Sequence, residues 1–255
     1  MSRIFITGSA DGLGLLTAKE LISLGHQVVL HARNEERRLA ALSQAPGAEK
    51  VLIADLSDIS ATKSLAQQVN GLGHFDAIIH NAGVNRVYKS DLSKDGLPII
   101  FAVNSLSTYI LTCLIQKPKR FIYLSSAMHL QGDPTLQCLI PHTLHCTYSD
   151  SKLHNLIFAK TVARKWPEVL SNAVNPGWVP TKMGGSGAPD SLEKGIQTQV
   201  WLAVSNDENS QVSGRYFHHK KEEHYLPAAN DLDIQEKFLS VCEEISGVPF
   251  PEDKR

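Results

Sequence analysis

The chain reads as a single doubly wound α/β domain over 1–255, a parallel sheet of seven strands with helices on both faces. Three observations predict this. Short β-branched or aromatic runs alternate with longer stretches of helical apolar spacing. The strand runs are almost continuously apolar, as strands covered on both faces must be. No Gly/Ser/Pro-rich linker or internal repeat divides the 255 residues.

In order, RIFIT at 3–7 opens the sheet and passes through a glycine turn into a helix at 14–24. QVVLH at 27–31 leads to a helix at 35–42, KVLIA at 50–54 to one at 59–69, and DAIIH at 76–80 to a long one at 97–115. RFIYL at 120–124 precedes a helix at 148–166, LSNAVN at 170–175 one at 191–203, and GRYFH at 214–218 a last one at about 232–245. Two long stretches, 127–147 and 182–190, have no period. Loops of that length in a compact domain are usually functional, so both are expected to wall a substrate site.

Hydrophobic residues make up 42%, enough for a sizeable core. The 25 basic and 26 acidic residues leave a net charge of -1, which offers no broad field to nucleic acid or anionic lipid. No apolar stretch is long enough to span a membrane, and the first strand begins too early for a signal peptide, so a cytoplasmic protein is expected. Cys113, Cys138, Cys146 and Cys242 form no CxxC pair and read as free thiols. His129, His142 and His145 with Cys138 and Cys146 lack zinc-site spacing, and no metal is expected.

The first strand ends in Thr7-Gly8-Ser9-Ala10-Asp11-Gly12-Leu13-Gly14 and enters a helix directly. Gly8 allows the sharp exit, Gly12 removes a Cβ where a pyrophosphate must approach, and Gly14 lets the helix sit close to the sheet. The helix N-terminus then offers N–H groups and a positive dipole end to the phosphates of a dinucleotide. The end of the second strand selects the dinucleotide, because an acid there holds both ribose hydroxyls. Ala32 stands where that acid is expected, and Arg33 follows with a planar fork suited to a 2′-phosphate. NADP(H) is therefore favoured over NAD(H), with Arg37 and Arg38 read as ordinary helix-face charges. Asp11 argues mildly the other way.

Tyr148-Ser149-Asp150-Ser151-Lys152 puts a phenol and an ammonium four apart on one helix face. An ammonium held close lowers the phenol pKa and makes the pair a general acid/base. With these residues in view the chain resembles the short-chain dehydrogenase/reductase family, a Rossmann fold, nearest in pattern to its retinol dehydrogenase and carbonyl reductase branches. The matching motifs are TGSADGLG for TGxxxGxG, His80-Asn81-Ala82-Gly83 for NNAG, Asp55-Leu56, Asn104, Leu124-Ser125-Ser126, YSDSK for YxxxK, and the turn Pro176-Gly177 through Val179 to Thr181.

The resemblance implies that Tyr148 is the proton donor or acceptor, that Ser126 rather than Ser125 binds the carbonyl oxygen, and that Lys152 holds the nicotinamide ribose. It implies that Asn104 orients a relay water. Gly8, Ser9, Asp11, Gly12, Leu13 and Gly14 would cradle the cofactor. Asp55 and Leu56 would meet its adenine, Asn81, Ala82 and Gly83 its adenosine ribose, and Pro176, Gly177, Val179 and Thr181 the nicotinamide. From Ser126 to Tyr148 is 22 positions, where many relatives have about a dozen, so 127–147 carries an insertion. The expected activity is NADP(H)-dependent hydride transfer between the nicotinamide and a small carbonyl or alcohol substrate, with reduction of a ketone or aldehyde favoured. An NAD-dependent alcohol dehydrogenase and a nucleotide-binding sensor without catalysis are the alternatives. Both a homo-oligomer and a monomer stay open. Trp178 and Met183 are the further substrate-contact candidates.

Overall fold

The computed structural model describes residues 1–85, 91–139 and 145–252. Strands β1 (Arg3–Ile6), β2 (Gln27–Ala32), β3 (Lys50–Ile53), β4 (Ala77–His80), β5 (Arg120–Leu124), β6 (Leu170–Asn175) and β7 (Tyr216–His218) pair in parallel. The sheet order is β3-β2-β1-β4-β5-β6-β7, with a short further strand, β8 (Lys221–Glu222), beyond β7. The chain thus winds outward from β1 in one direction and from β4 in the other. The crevice at this reversal, beyond the carboxyl ends of β1 and β4, is where open α/β sheets bind ligands. The glycine turn and the HNAG segment both emerge there.

Alternate residues of each strand feed two cores. Phe5, Val29, Ile78, Phe121 and Tyr123 face one side, under α3 (Ile59–Gly71), α5 (Ser107–Leu114), α6 (Tyr148–Lys165) and α8 (Leu232–Ser246). Ile4, Ile6, Leu30, Ile79, Ile122 and Val174 face the other, under α1 (Gly12–Ser23), α2 (Glu35–Gln44) and α7 (Leu192–Val204). Each fully buried Ile or Phe in these layers contributes about 1.5–3 kcal/mol. No helix among the described residues is long and apolar enough to cross a membrane.

Two elements differ from the sequence expectation. The sheet has an eighth strand, β8 (Lys221–Glu222), antiparallel to β7. Its turn uses His219 (φ 48) and Lys220 (φ 62), both left-handed. Such turns usually advertise themselves with Asn or Gly, which are missing here. The turn is supported by the Lys220 N–H donating to Thr198 Oγ1 at 3.0 Å and by stacked rings of His218 and His219. The long helix expected at 97–115 is also not uniform. It runs as α4 (Ile99–Phe101), a π segment (Ala102–Leu106) and α5, and Asn104 lies in the π segment. A π-bulge re-aims one side chain and is frequent at functional sites.

Candidate active site

A cavity of about 540 Å³ opens at the sheet reversal. Its wall includes the glycine turn, the ends of β2 and β3, the segment after β4, the first turn of α6 and the loop after β6.

The glycine turn is held from three sides. Asn81 Nδ2 donates to the carbonyls of Thr7 and Gly8, and Thr7 Oγ1 accepts from the N–H groups of Asn81 and Ala82. The third tie is His31. The Gly8 N–H donates to Nδ1 at 2.9 Å, so Nε2 carries the proton and donates to the Ala54 carbonyl at 3.0 Å. Burial pushes the His31 pKa down to about 4, and the ring is neutral. Close packing makes the glycines necessary. A Cβ on Gly14 would collide with Asn81 Nδ2 and lie 2.6 Å from the Gly8 carbonyl oxygen. Gly8 has φ +61, and its Cβ would stand 2.7 Å from the Ala82 Cα.

Asp11 is the N-cap residue of α1, yet its side chain makes no cap hydrogen bond. It turns instead to Arg37, 2.5 Å away, and to Lys182 at 3.5 Å. The N–H groups of the first turn are thereby left without a side-chain acceptor. Gly12 has φ +55, and the nearest atom to its missing Cβ is Thr181 Cγ2 at 3.9 Å, so the backbone is open to a ligand. This cradle fits the pyrophosphate of a dinucleotide. Arg33 is exposed on the cavity wall, with no ion pair among the described residues, and Arg37 and Lys182 line the same end. Sequence reasoning does not pick out Arg37 and Lys182 as site residues. The signal for Arg37 is its place four positions after Arg33, in the first turn of α2.

At the other end stand Tyr148 and Lys152. Helix α6 starts at Tyr148 because Thr147 and Asp150 form a reciprocal capping box. Lys152 Nζ donates to the Leu124 carbonyl at 2.9 Å and lies 5.1 Å from the centre of the Tyr148 ring. Burial pushes the Lys152 pKa down to about 8 and that of Tyr148 up to about 12. The expected lowering of the phenol by its neighbouring ammonium is therefore outweighed here. Desolvation acts on both groups, and the ammonium is engaged with a carbonyl rather than with the phenol oxygen.

Asn104, fully buried, accepts from the Val84 N–H through Oδ1 and donates through Nδ2 to the Val84 carbonyl and Ser151 Oγ. A Cβ on Gly83 would lie 3.5 Å from Asn104 Oδ1 and 3.6 Å from Lys152 Nζ, so the absence of a side chain there keeps the two groups mutually accessible. Ser125 Oγ donates to the Lys152 carbonyl at 2.7 Å, whereas Oγ of the part-exposed Ser126 accepts from the Met128 N–H and donates to no group among the described residues. Ser125, not Ser126, is in the cavity wall.

The other expected cofactor residues divide. Leu13, Asp55, Leu56, Ala82, Gly83, Pro176 and Thr181 line the cavity. Ser9 is fully buried, its hydroxyl bonded to the Ile6 carbonyl and the His31 N–H, and it supports the turn from behind. Asn81 borders the cavity, but its amide is committed to the glycine turn. Gly177 and Val179 support the wall. Gly177 has φ +85, with the Asp190 carboxylate packed where a Cβ would be, and that carboxylate accepts from the Trp178 N–H at 2.6 Å. Loop 182–190 is closed onto the turn in this way and contributes Lys182 and Met183 to the wall, while Trp178 is exposed.

Of the insertion's metal candidates, His142 lies outside the described residues. His129 is buried and neutral, with Nδ1 donating to the Ser126 carbonyl and Nε2 accepting from the Leu226 N–H. His145 is exposed. Cys138 and Cys146 do meet, but with His154, a neighbour that the sequence spacing does not suggest.

Comparison with known proteins agrees with this geometry. Residues 2–127 match the short chain dehydrogenase family. An oxidoreductase of Emericella nidulans is 42% identical over 98% of this chain and 99% of its own length. Short-chain dehydrogenase chyC of Penicillium rubens is 40% identical over 98% and 100%. Retinol dehydrogenase 14 of Homo sapiens is 31% identical over 96% and 86%. Among solved structures, a protein from Mycobacterium paratuberculosis superposes with a TM-score of 0.83 at 24% identity, covering 98% of this chain and 95% of its own, which speaks to the fold. The chain belongs to the short-chain dehydrogenase/reductase family, as an oxidoreductase of the CH–OH/C=O type related to the retinol dehydrogenases.

Proposed function

We propose that the protein is an NADP(H)-dependent reductase of ketones or aldehydes. The observation that carries this reading is the charge at the adenosine end of the cavity. Arg33, Arg37 and Lys182 line it, and Ala32 stands where an NAD-selecting acid would be. Asp11 is the counter-argument, since it holds Arg37 and favours the NAD-dependent reading. Both side chains of that pair are more than a third exposed, so the pair is worth about 0–1 kcal/mol at most. A 2′-phosphate dianion offers Arg37 a stronger partner.

The bound nicotinamide supplies the hydride in reduction, or accepts it in oxidation. Tyr148 gives its phenol proton to the substrate oxygen, and Ser126, at the edge of the wall, donates a hydrogen bond to the same oxygen, because the Ser125 hydroxyl proton is committed to the Lys152 carbonyl. Lys152, in its charged form, holds the nicotinamide ribose and stabilises the phenolate. Asn104 orients water for the return of a proton to Lys152. Met128 and Leu130 beyond Ser126, with Trp178 and Met183 beyond Pro176, expose apolar surface and favour an apolar carbonyl substrate. The name of the relative retinol dehydrogenase 14 points to an alcohol of that kind.

Following NADPH and NADH oxidation with a panel of aliphatic and aromatic aldehydes and ketones tests the reading. NADPH is expected to be preferred. Arg33→Ala and Arg37→Ala should each raise the KM for NADPH about tenfold, the loss of one charge-assisted contact, with little change for NADH. Equal use of NADH would turn the assignment to an NAD-dependent dehydrogenase. Tyr148→Phe should lose nearly all turnover while binding NADPH normally. A variant with full rate would remove Tyr148 from its role.

A further inference from the structure

The insertion brings together a cluster that the hydride-transfer site does not use. Cys138 lies in a short 3-10 turn, Gln137–Leu139, and Cys146 directly precedes the N-cap of α6. Their sulfurs are 3.2 Å apart. Cys138 Sγ is also 3.7 Å from Nε2 of His154, whose Nδ1 is 3.0 Å from Ser105 Oγ. Cys138 is partly exposed, whereas Cys146, Cys113 and Cys242 are buried. We propose that Cys138 and Cys146 are a peroxide-oxidisable dithiol, Cys138 being the attacking thiol and Cys146 the resolving one, joined reversibly as a disulfide.

Several features favour this pairing. The hydrogen bond with Cys146, and then the nearby His154 ring, lower the Cys138 thiol pKa, while the same contact and burial raise that of Cys146. The partly exposed sulfur is thus also the one with thiolate character, which governs attack on an oxidant. Burial raises the thiols of Cys113 and Cys242, which are poor nucleophiles by comparison. Zinc is the competing occupant of a Cys–Cys–His cluster. Two thiolates bound tetrahedrally at about 2.3 Å stand about 3.7 Å apart. The observed separation is shorter than that spacing and brings the two sulfurs into direct contact.

The oxidant is a hydroperoxide, taken from solution. The Cys138 sulfur attacks its terminal oxygen, the O–O bond breaks, and the alcohol leaves with the Cys138 proton passed through His154. The Cys138 sulfenic acid so formed is attacked by the Cys146 sulfur. The S–O bond breaks, water leaves with the Cys146 proton, and the S–S bond forms. Two thiols lose two electrons in all, and one hydroperoxide is reduced to an alcohol and a water. The product would tie the insertion to residue 146, two positions before Tyr148. This dithiol chemistry is independent of whether the cavity is a reductase site.

The test uses the full chain, reduced and freed of reductant, then treated with hydrogen peroxide, denatured and alkylated. Two of the four thiols should be lost to alkylation, and a cross-linked 138–146 peptide should appear about 2 Da lighter, restored by dithiothreitol. Cys138→Ser should leave Cys146 alkylatable after the same treatment, and Cys146→Ser should trap Cys138 as a sulfenic acid that reacts with dimedone. Circular dichroism checks that both variants fold, and the wild-type peptide map decides the matter without them. Conversion of wild-type Cys138 to sulfinic acid with no cross-link would overturn the proposal. So would one tightly bound zinc per chain that shields both thiols until it is chelated.

Discussion

Lowering the pH should loosen the glycine turn through one histidine. His31 is 3% exposed and bonded on both ring nitrogens, accepting from Gly8 and donating to Ala54. A second proton would have to go on Nδ1, against the Gly8 N–H. Its pKa is accordingly pushed down from 6.5 to about 4. The folded state holds fewer protons than the unfolded chain between these values, so the stability contribution is whole above pH 6.5 and is lost as pH falls toward 4. At about 1.4 kcal/mol for each pH unit, the loss comes to about 3 kcal/mol. Urea unfolding, followed by intrinsic fluorescence at intervals from about pH 7.5 to 4, should be run on the wild type and on His31→Phe. At neutral pH the variant should be less stable by about 2–5 kcal/mol, because the Gly8 N–H and the Ala54 carbonyl lose their partners. The gap should close by about 3 kcal/mol toward pH 4, since the variant lacks this titration. Affinity of the wild type for NADPH should weaken over the same range as the turn loosens. Parallel stability curves for the two proteins would refute the assignment of a neutral, doubly bonded His31.

Further outcomes follow from the same packing. Gly14→Ala should cost about 1–3 kcal/mol in urea unfolding and weaken NADPH binding, because its Cβ would press on the Gly8 carbonyl and the Asn81 amide; unchanged stability would mean that α1 can move off the sheet at no cost. For carbonyl reduction, kcat/KM should be level below pH about 8 and fall above it as the Lys152 ammonium, pushed down to about 8 by burial, loses its charge. A profile level to about pH 10 would show that this charge is not needed in the free enzyme.

The sheet was legible because each strand is short and apolar throughout, a pattern that ordinary chemistry confines to the middle of a covered parallel sheet. All seven runs form strands, with boundaries moved by a residue or two, and the helices between them follow. Strand β8 was not legible. Two exposed residues behind a turn made by His219 and Lys220 carry neither apolar pattern nor turn chemistry, and they pair only because Thr198 and the last parallel strand stand beside them. The π segment was hidden for a related reason. Its cause is a tertiary demand, the aim of Asn104 at Val84 and Ser151, and local sequence has no separate signal for that.

In the candidate site, residues that act through backbone geometry could be read, because a sharp exit from a strand followed by a closely packed helix demands glycine at fixed offsets. Residues that act by contact across the fold could not. Ser9 and Asn81 read as cofactor contacts but spend their hydrogen bonds holding the turn, and the parts played by His31 and Arg37 emerge only through Gly8 and Asp11. The insertion is the strongest case. As sequence it is a 22-position spacing with no period, yet its described part is anchored on the helix that carries Tyr148 and Lys152. The Asp133 N–H donates to Asp150, the capping residue of that helix. Gly132 packs so closely on Leu153 and Ser149 that a Cβ would lie within 3 Å of both. His129 bonds the Ser126 carbonyl and, through Leu226, the segment after β8. A wall tied at these points moves with the start of α6. A substitution that frees it, such as His129→Leu, is therefore expected to disturb Tyr148, the proposed proton donor, along with the wall, and to change both kcat and the order of preference within the aldehyde and ketone panel.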